Sequence, residues 1–193
     1  MAGGSGPKIV RSTLELLRTR GPAGVTIESV AAHSGVARTT IYRRYRNRNE
    51  MLGAALLDVA VVEPPDVDLP AEARLRWVVT HAASMVLDGI GFGGMAALLT
   101  DSDPEFGMLF RQVLARHRAE LREVLDAGKR RGQFAATMEP EMLVDGIVGA
   151  LVAERARTGG VAGDWEDRVV TAFAPMVFAA ESDPRRRSRG KRE

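Results

Sequence analysis

Cysteine is absent from this chain of 193 residues, and aromatic residues make up only 5% of it. Without cysteine there is no disulfide, no thiolate nucleophile and no cysteine-ligated zinc. The three histidines, His33, His81 and His117, lie too far apart in sequence to show metal-ligand spacing. The HExxH, GxSxG, GxGxxG and phosphate-binding-loop motifs are also absent. We therefore expect no metal, no cofactor and no enzyme activity.

Long apolar runs are lacking as well. Uncharged stretches such as residues 89–100 are shorter than the roughly 18 residues that a membrane-spanning helix needs. The opening MAGGSGP does not have the basic-then-apolar order of a signal peptide. With 45% hydrophobic and 27% charged residues, the composition is typical of a globular protein. The sequence therefore predicts a cytoplasmic protein with no membrane partner.

The net charge of +2 conceals an uneven distribution of charge. Residues 1–50 carry nine Lys/Arg against three Asp/Glu, and residues 183–193 carry six against two. The segment between them is acidic, with twelve basic against twenty acidic residues. This asymmetry indicates that the amino-terminal segment faces a polyanion while the body of the protein does not.

Apolar residues recur at helical spacing along nearly the whole chain, which predicts an all-α fold of about nine helices. Three prolines within residues 63–70 interrupt the pattern after the fourth helix. Residues 183–193 have no apolar anchor and are predicted to be a disordered basic tail. The predicted helices cover residues 8–20, 27–34, 37–45, 47–62, 71–88, 93–101, 104–130, 139–157 and 164–181.

The spacing of three residues in the second and third helices predicts a helix-turn-helix unit. Ala31 is small enough for two helices to cross closely, and Gly35 tolerates the positive φ of a sharp turn. Ile41, six positions later, can anchor the following helix in the core. An ordinary helical hairpin is the alternative that this spacing leaves open.

The residues that surround Ile41 distinguish these alternatives. If Ile41 and Tyr45 face inward, then Arg38, Thr39, Tyr42 and Arg43 share the opposite, exposed face. Arg38 lies in the first turn of its helix, where a cation opposes the helix dipole. Helix stability therefore does not explain why an arginine stands at position 38, whereas contact with a phosphate or a guanine would explain it. The pattern favours a surface that binds DNA.

The run 26-TIESVAAHSGVARTTIYRRYRNRNEML-52 resembles the amino-terminal domain of the TetR family of transcriptional regulators. Arg48 stands where the family usually has Lys, Tyr45 where Phe is usual, and Thr39 where Gly is common. The residues that match the family pattern are Thr26, Val30, Ala31, Gly35, Val36, Thr40, Ile41, Tyr42, Asn47 and Leu52.

The resemblance implies a DNA-binding surface and a division of the chain. Thr26, Tyr42 and Arg48 would hold backbone phosphates, and the residues facing the major groove would be Arg38, Thr39, Thr40 and Arg43. It implies a flexible amino terminus at residues 1–6, a helix-turn-helix domain at 7–50, and a larger ligand-binding and dimerisation domain at 51–182. Double-stranded DNA with a palindromic operator would be the partner.

The resemblance also implies a homodimer formed by the last two helices. The helix at residues 139–157 carries two adjacent apolar stripes, which suggests burial on two sides. An alternative is burial wholly within one chain. The predicted interface residues are Leu143, Ile147, Leu151, Trp165, Val169, Phe173 and Met176.

The middle helices would enclose a small apolar ligand by the same resemblance. Methionines adapt their shape to varied apolar groups, and the two histidines could orient a ligand. The alternative is that these side chains fill the core. The predicted lining residues are Trp77, His81, Met85, Phe92, Met95, Phe110, Leu114, His117 and Met142.

Together these features predict a homodimeric repressor that a small apolar ligand releases from its operator. A non-specific DNA-compacting protein is the main alternative, and an enzyme that uses the apolar cavity is the lesser one. The sequence specifies neither the operator nor the ligand.

Overall fold

The computed structural model describes residues 4–178 and confirms the all-α fold. Nine α-helices lie within this range, and its only β-pairing is an isolated antiparallel bridge between Phe134 and Phe178. The helices are α1 Ser5–Arg20, α2 Ile27–Ser34, α3 Arg38–Arg44, α4 Arg48–Ala60, α5 Ala71–Ser84, α6 Gly91–Thr100, α7 Pro104–Arg130, α8 Pro140–Thr158 and α9 Trp165–Val177.

Local signals in the sequence explain where the first helices begin and end. The Thr26 side chain accepts a hydrogen bond from the Ser29 N–H and so caps α2. Gly35 ends α2 in the left-handed conformation, with φ +69°. Asn47 caps α4 through the N–H of Glu50. Ala37, which precedes α3, offers no such cap, as its side chain predicts.

The structure differs from the prediction at several helix ends. The first helix begins at Ser5, so residues 5 and 6, which we predicted to be flexible, are helical. Helix α5 ends at Ser84 and continues as a π-helix over Met85–Ile90, which periodicity did not predict. The predicted basic tail at residues 183–193 lies outside the described residues.

The chain forms two compact units. Among the described residues, the first unit contains residues 4–63 and 81–121, and the second contains residues 64–80 and 122–178. The long helices α5 and α7 contribute to both, because the units divide each of these helices. The predicted domains at 7–50 and 51–182 were defined by their expected functions, and their boundaries differ from those of the two packed units. This functional division stays a prediction.

The first unit has one apolar core that α1, α2, α3 and α4 share with α6 and α7. Ile41 of α3 and Leu52 of α4 are fully buried in it. Phe106 and Phe110 of α7 stack within this core, with their ring centroids 6.0 Å apart. The short helices α2 and α3 are therefore held mainly by packing, since helices of this length are marginal alone.

The second unit is tied by polar contacts as well as apolar packing. The buried Arg74 donates to the side chain of Gln133 at 2.8 Å and to the carbonyl oxygen of Val67 at 2.9 Å. Arg168 donates twice to the buried carboxylate of Glu154, at 2.8 Å each. The hydrogen bond from the Ala162 N–H, together with the pairing to Arg168, lowers the pKa of Glu154. The contacts of Glu154 with Ala162 and Arg168 position the turn between α8 and α9.

One continuous helical stretch, residues Ala71–Thr100, is long and apolar enough to cross a membrane by length and composition alone. Its most apolar window has 18 residues with a mean hydropathy of 1.6, and half of that window is buried inside the protein. The core helices of soluble proteins also pass this test, so the stretch alone does not indicate a membrane span.

Candidate nucleic-acid interface

Helix α3 has one buried side and one exposed side. Ile41 is fully buried, and Tyr45, which follows the helix, is 7% exposed. On the opposite side Arg38, Thr39 and Arg43 are exposed, and Tyr42 is 52% exposed. Among residues 4–178, neither Arg38 nor Arg43 has a hydrogen-bond or ion-pair partner, so both guanidinium groups are free for an external anion or a base edge.

The two threonines of the predicted interface have different environments. Thr26 is exposed at the amino terminus of α2, where its side chain caps the helix and the positive helix end faces solvent. That combination suits a backbone phosphate. Thr40 is half-buried in α3, so it is less accessible than Arg38 and Thr39.

Arg48 is bound within the protein, although the resemblance implies that it holds a phosphate. Its guanidinium donates to the carbonyl oxygens of Val25 at 2.8 Å and Pro22 at 2.6 Å. It also pairs with the Asp103 carboxylate at 2.7 Å. Because these contacts occupy the guanidinium, we omit Arg48 from the proposed interface. Its observed role is to join α4 to the turn before α2 and to the start of α7.

Five of the residues predicted for the dimer interface are buried inside one chain: Leu143, Ile147, Leu151, Trp165 and Val169. Side chains that already fill the interior of a protomer are not available to a second copy. Phe173 is half-buried close to Gly146, and Met176 alone of the seven is well exposed, at 66%. The solvent-exposed side of α8, opposite its buried residues, carries Met142, Gly149 and Ala153.

The residues predicted to line a ligand pocket do not all lie in one unit. Met85 and Phe110 are part of the first unit's core, and Met95 and Leu114 pack against it. Phe92 and His81 are half-buried in the same unit. Trp77 and Met142 belong to the second unit, and Met142 is 69% exposed. An exposed side chain cannot line an enclosed pocket within one chain, so Met142 is removed from the predicted set.

His117 is the predicted ligand residue with the most unusual surroundings. It is 1% exposed, and its Nε2 lies 3.1 Å from the carbonyl oxygen of His81. Its Nδ1 is buried without a hydrogen-bond partner among the described residues. Burial lowers the pKa of His117, so the ring is neutral near pH 7.

The exposed face of α3 on a helix-turn-helix core defines a DNA-binding regulator. Two family profiles match the chain. The one described as "Bacterial regulatory proteins, tetR family" matches residues 9–55, and "Tetracyclin repressor-like, C-terminal domain" matches residues 64–173. The chain belongs to the TetR family of transcriptional regulators, which confirms the resemblance seen in the sequence.

Known relatives agree with this assignment. The uncharacterized HTH-type transcriptional regulator YdeS of Bacillus subtilis is 23% identical over 181 residues, which cover 88% of each chain. Reduced NemR of E. coli superposes with a TM-score of 0.68 at 13% identity, over 92% of this chain and 100% of that one. FadR of Bacillus subtilis, solved with stearoyl-CoA, gives a TM-score of 0.59 at 16% identity, over 86% and 96%. At these identities the two structures show a shared fold.

Proposed function

We propose that this cytoplasmic regulator is a homodimeric repressor that binds a palindromic operator and leaves it when a small apolar ligand binds. The observation that carries the DNA-binding part is the outward face of α3, where Arg38, Thr39, Tyr42 and Arg43 are exposed together. Arginine binds guanine bidentately and the threonine methyl contacts thymine, while the tyrosine hydroxyl suits a phosphate. Thr26 adds a phosphate contact at the start of α2.

The route from ligand to operator would run through α1. The segment that follows α5 packs directly on α1, since the guanidinium of Arg18 donates to the carbonyl oxygen of Asp88. At Gly91 and Gly93 the backbone comes close to Arg18 and Gly21 of the α1 end. A ligand that favours another position of the π-helix and α6 would therefore displace α1 and, through α2, which packs on both α1 and α3, displace α3.

The ligand would occupy the space beside the first unit's predicted lining residues, with His117 as its polar anchor. The neutral imidazole of His117 is buried among apolar side chains, which suits it to a single hydrogen bond with an otherwise apolar molecule. Met85 and Met95 can adjust their shape around such a guest. FadR of Bacillus subtilis, which shares this fold, was solved in complex with stearoyl-CoA, and this supports a ligand that carries a long apolar chain.

The dimer surface would be the exposed side of α8 and α9 rather than the buried stripe that we predicted. Gly149 and Ala153 lie on that side of α8, and Met142 and Met176 are large apolar side chains left in solvent. Small residues allow helices of two copies to approach closely. The large exposed methionines would be buried by the same contact.

Gly149→Arg is expected to convert the dimer into a monomer without unfolding the chain. A Cβ at Gly149 meets nothing within 4 Å, so the protomer tolerates the change, yet a long charged side chain would block a close helix contact. Sedimentation should give twice the chain mass of 20.9 kDa for the unaltered protein and the single mass for the variant. Gly163→Arg, at another glycine with open space, is the matched control. A monomeric unaltered protein at micromolar concentration would contradict the proposal.

Selection of bound sequences from random DNA tests the function as a whole. The protein should enrich a palindrome whose half-site centres lie about 34–36 Å apart, or a multiple of that distance. Enrichment of no defined sequence would favour the DNA-compacting alternative over a repressor.

A further inference from the structure

A basic cleft lies along α1, and of its residues only Arg18 contacts the segment that follows α5. Its volume is about 420 Å³, and it is formed entirely within the first unit. Helix α1 supplies Arg11 and Arg18, α3 supplies Arg44 at its last position, and α4 supplies Asp58. Three guanidinium groups against one carboxylate leave the cleft with a positive balance.

Two of these arginines lack a protein partner. Within residues 4–178 neither Arg11 nor Arg44 has a hydrogen bond or an ion pair, and both are exposed. Arg18 is already engaged with the carbonyl oxygen of Asp88. Two free guanidinium groups at one cleft can bind a single carboxylate or phosphate with charge-assisted hydrogen bonds.

Gly6 determines where the Arg44 guanidinium lies. A Cβ at Gly6 would be 2.8 Å from the Arg44 Cζ, 2.8 Å from Nη2 and 2.9 Å from Nη1. These nearly equal distances mean that the guanidinium plane lies flat over the glycine. The absence of a side chain at Gly6 therefore allows Arg44 to extend over α1 into the cleft.

The floor of the cleft is apolar. Leu14 is 7% exposed and Val10 is half-buried, and both belong to the α1 face that lines the cleft. A DNA phosphate needs no apolar floor. An amphipathic anion, by contrast, fits both the free guanidinium groups and the apolar surface beneath them.

We propose that this cleft binds a small organic anion, with its carboxylate or phosphate held by Arg11 and Arg44 and its short apolar body on Val10 and Leu14. The site lies beyond the proposed operator and ligand sites and does not depend on either. Because Arg44 is the last residue of α3, an occupant would join the DNA-binding helix to α1 and α4.

Isothermal titration of the full chain with hexyl phosphate at low ionic strength tests the site, since exposed charges are least screened there. The expected dissociation constant is about 1 mM or tighter. Hexanoate in a parallel titration shows whether carboxylate or phosphate is preferred, and neutral hexan-1-ol should bind at least about tenfold more weakly than the better anion.

Two variants alter the site in different ways. Arg44→Ala removes a guanidinium, whereas Gly6→Ala keeps every charge and only displaces Arg44. Each is expected to weaken hexyl phosphate binding about tenfold or more. The collision at Gly6 is with the end of a flexible side chain, so this variant should fold, as circular dichroism would verify.

The matched controls are Gly4→Ala and Arg46→Ala. A Cβ at Gly4 meets only Pro7 Cδ at 3.9 Å, and Arg46 is an exposed arginine that does not line the cleft. Both should bind hexyl phosphate as the unaltered protein does. The proposal is overturned if hexyl phosphate does not bind, or if all four variants bind it equally. It is also overturned if Arg44→Ala weakens only the binding of random-sequence DNA, which would make the cleft a DNA-backbone contact.

Discussion

Gly91→Ala is expected to lower the free energy of unfolding by at least about 2 kcal/mol. Gly91 has φ +65° and ψ 176°, a conformation that is strained for any residue with a side chain. A Cβ there would also lie 2.6 Å from the Arg18 Cα and 2.9 Å from the Arg18 carbonyl oxygen. These are backbone atoms of α1, so the collision can be relieved only by moving α1 away from α6. Urea unfolding followed by circular dichroism measures the loss.

Gly21→Ala is the control that separates collision from backbone strain. Gly21 has nearly the same backbone conformation as Gly91, with φ +70° and ψ 178°, but a Cβ there comes no nearer than 3.8 Å to the Gly93 backbone, an ordinary contact. We expect Gly21→Ala to be less destabilising than Gly91→Ala by at least about 1 kcal/mol. If the two variants were destabilised equally, the close approach of α1 to Gly91 would have no energetic importance, and the proposed route from α6 to α3 would lose its support.

Arg43→Ala is expected to weaken binding to the selected operator by about 1–3 kcal/mol, or roughly 5- to 150-fold. Arg43 is exposed on the same side of α3 as Thr39 and Tyr42, and no described residue binds its guanidinium. The loss should be concentrated at one or two base pairs in each half-site. The affinity of the variant for random-sequence DNA should fall much less, because base contacts contribute little to that binding.

Arg46→Ala removes the same charge from an exposed position after α3. If Arg46 contacts DNA only through phosphates, the change should weaken binding to the operator and to random-sequence DNA to a similar extent and reduce the salt dependence of binding. An Arg43→Ala variant that behaved in the same way would make Arg43 a phosphate contact instead of a base contact.

The amino-terminal helices were predictable because their ends depend on local chemistry. Thr26, Gly35 and Asn47 cap or terminate helices through contacts with their own neighbours in sequence. The π-helix at Met85–Ile90 was not predictable in this way. The π-helix leads into Gly91, where the backbone lies close to Arg18 of α1. That contact joins residues far apart in sequence, so local periodicity does not show it.

The candidate site was predictable to the extent that periodicity separates two sides of a helix. The spacing of Ile41 and Tyr45 placed Arg43 outside, and the structure agrees. Periodicity does not show what a polar or apolar side chain meets. Arg48 could equally hold a phosphate or Asp103, and the stripe containing Ile147 could equally face a second copy or the interior. Asp103 caps α7 by accepting a hydrogen bond from the Phe106 N–H, and its other carboxylate oxygen pairs with Arg48.

Selection of bound sequences with the unaltered protein and with Arg43→Ala in parallel tests most directly whether the outward face of α3 reads DNA. We predict the same palindrome and half-site spacing in both selections, with preference lost at one or two positions per half-site in the variant. An unchanged base preference at every position of the Arg43→Ala consensus would contradict the assignment of this face to base recognition.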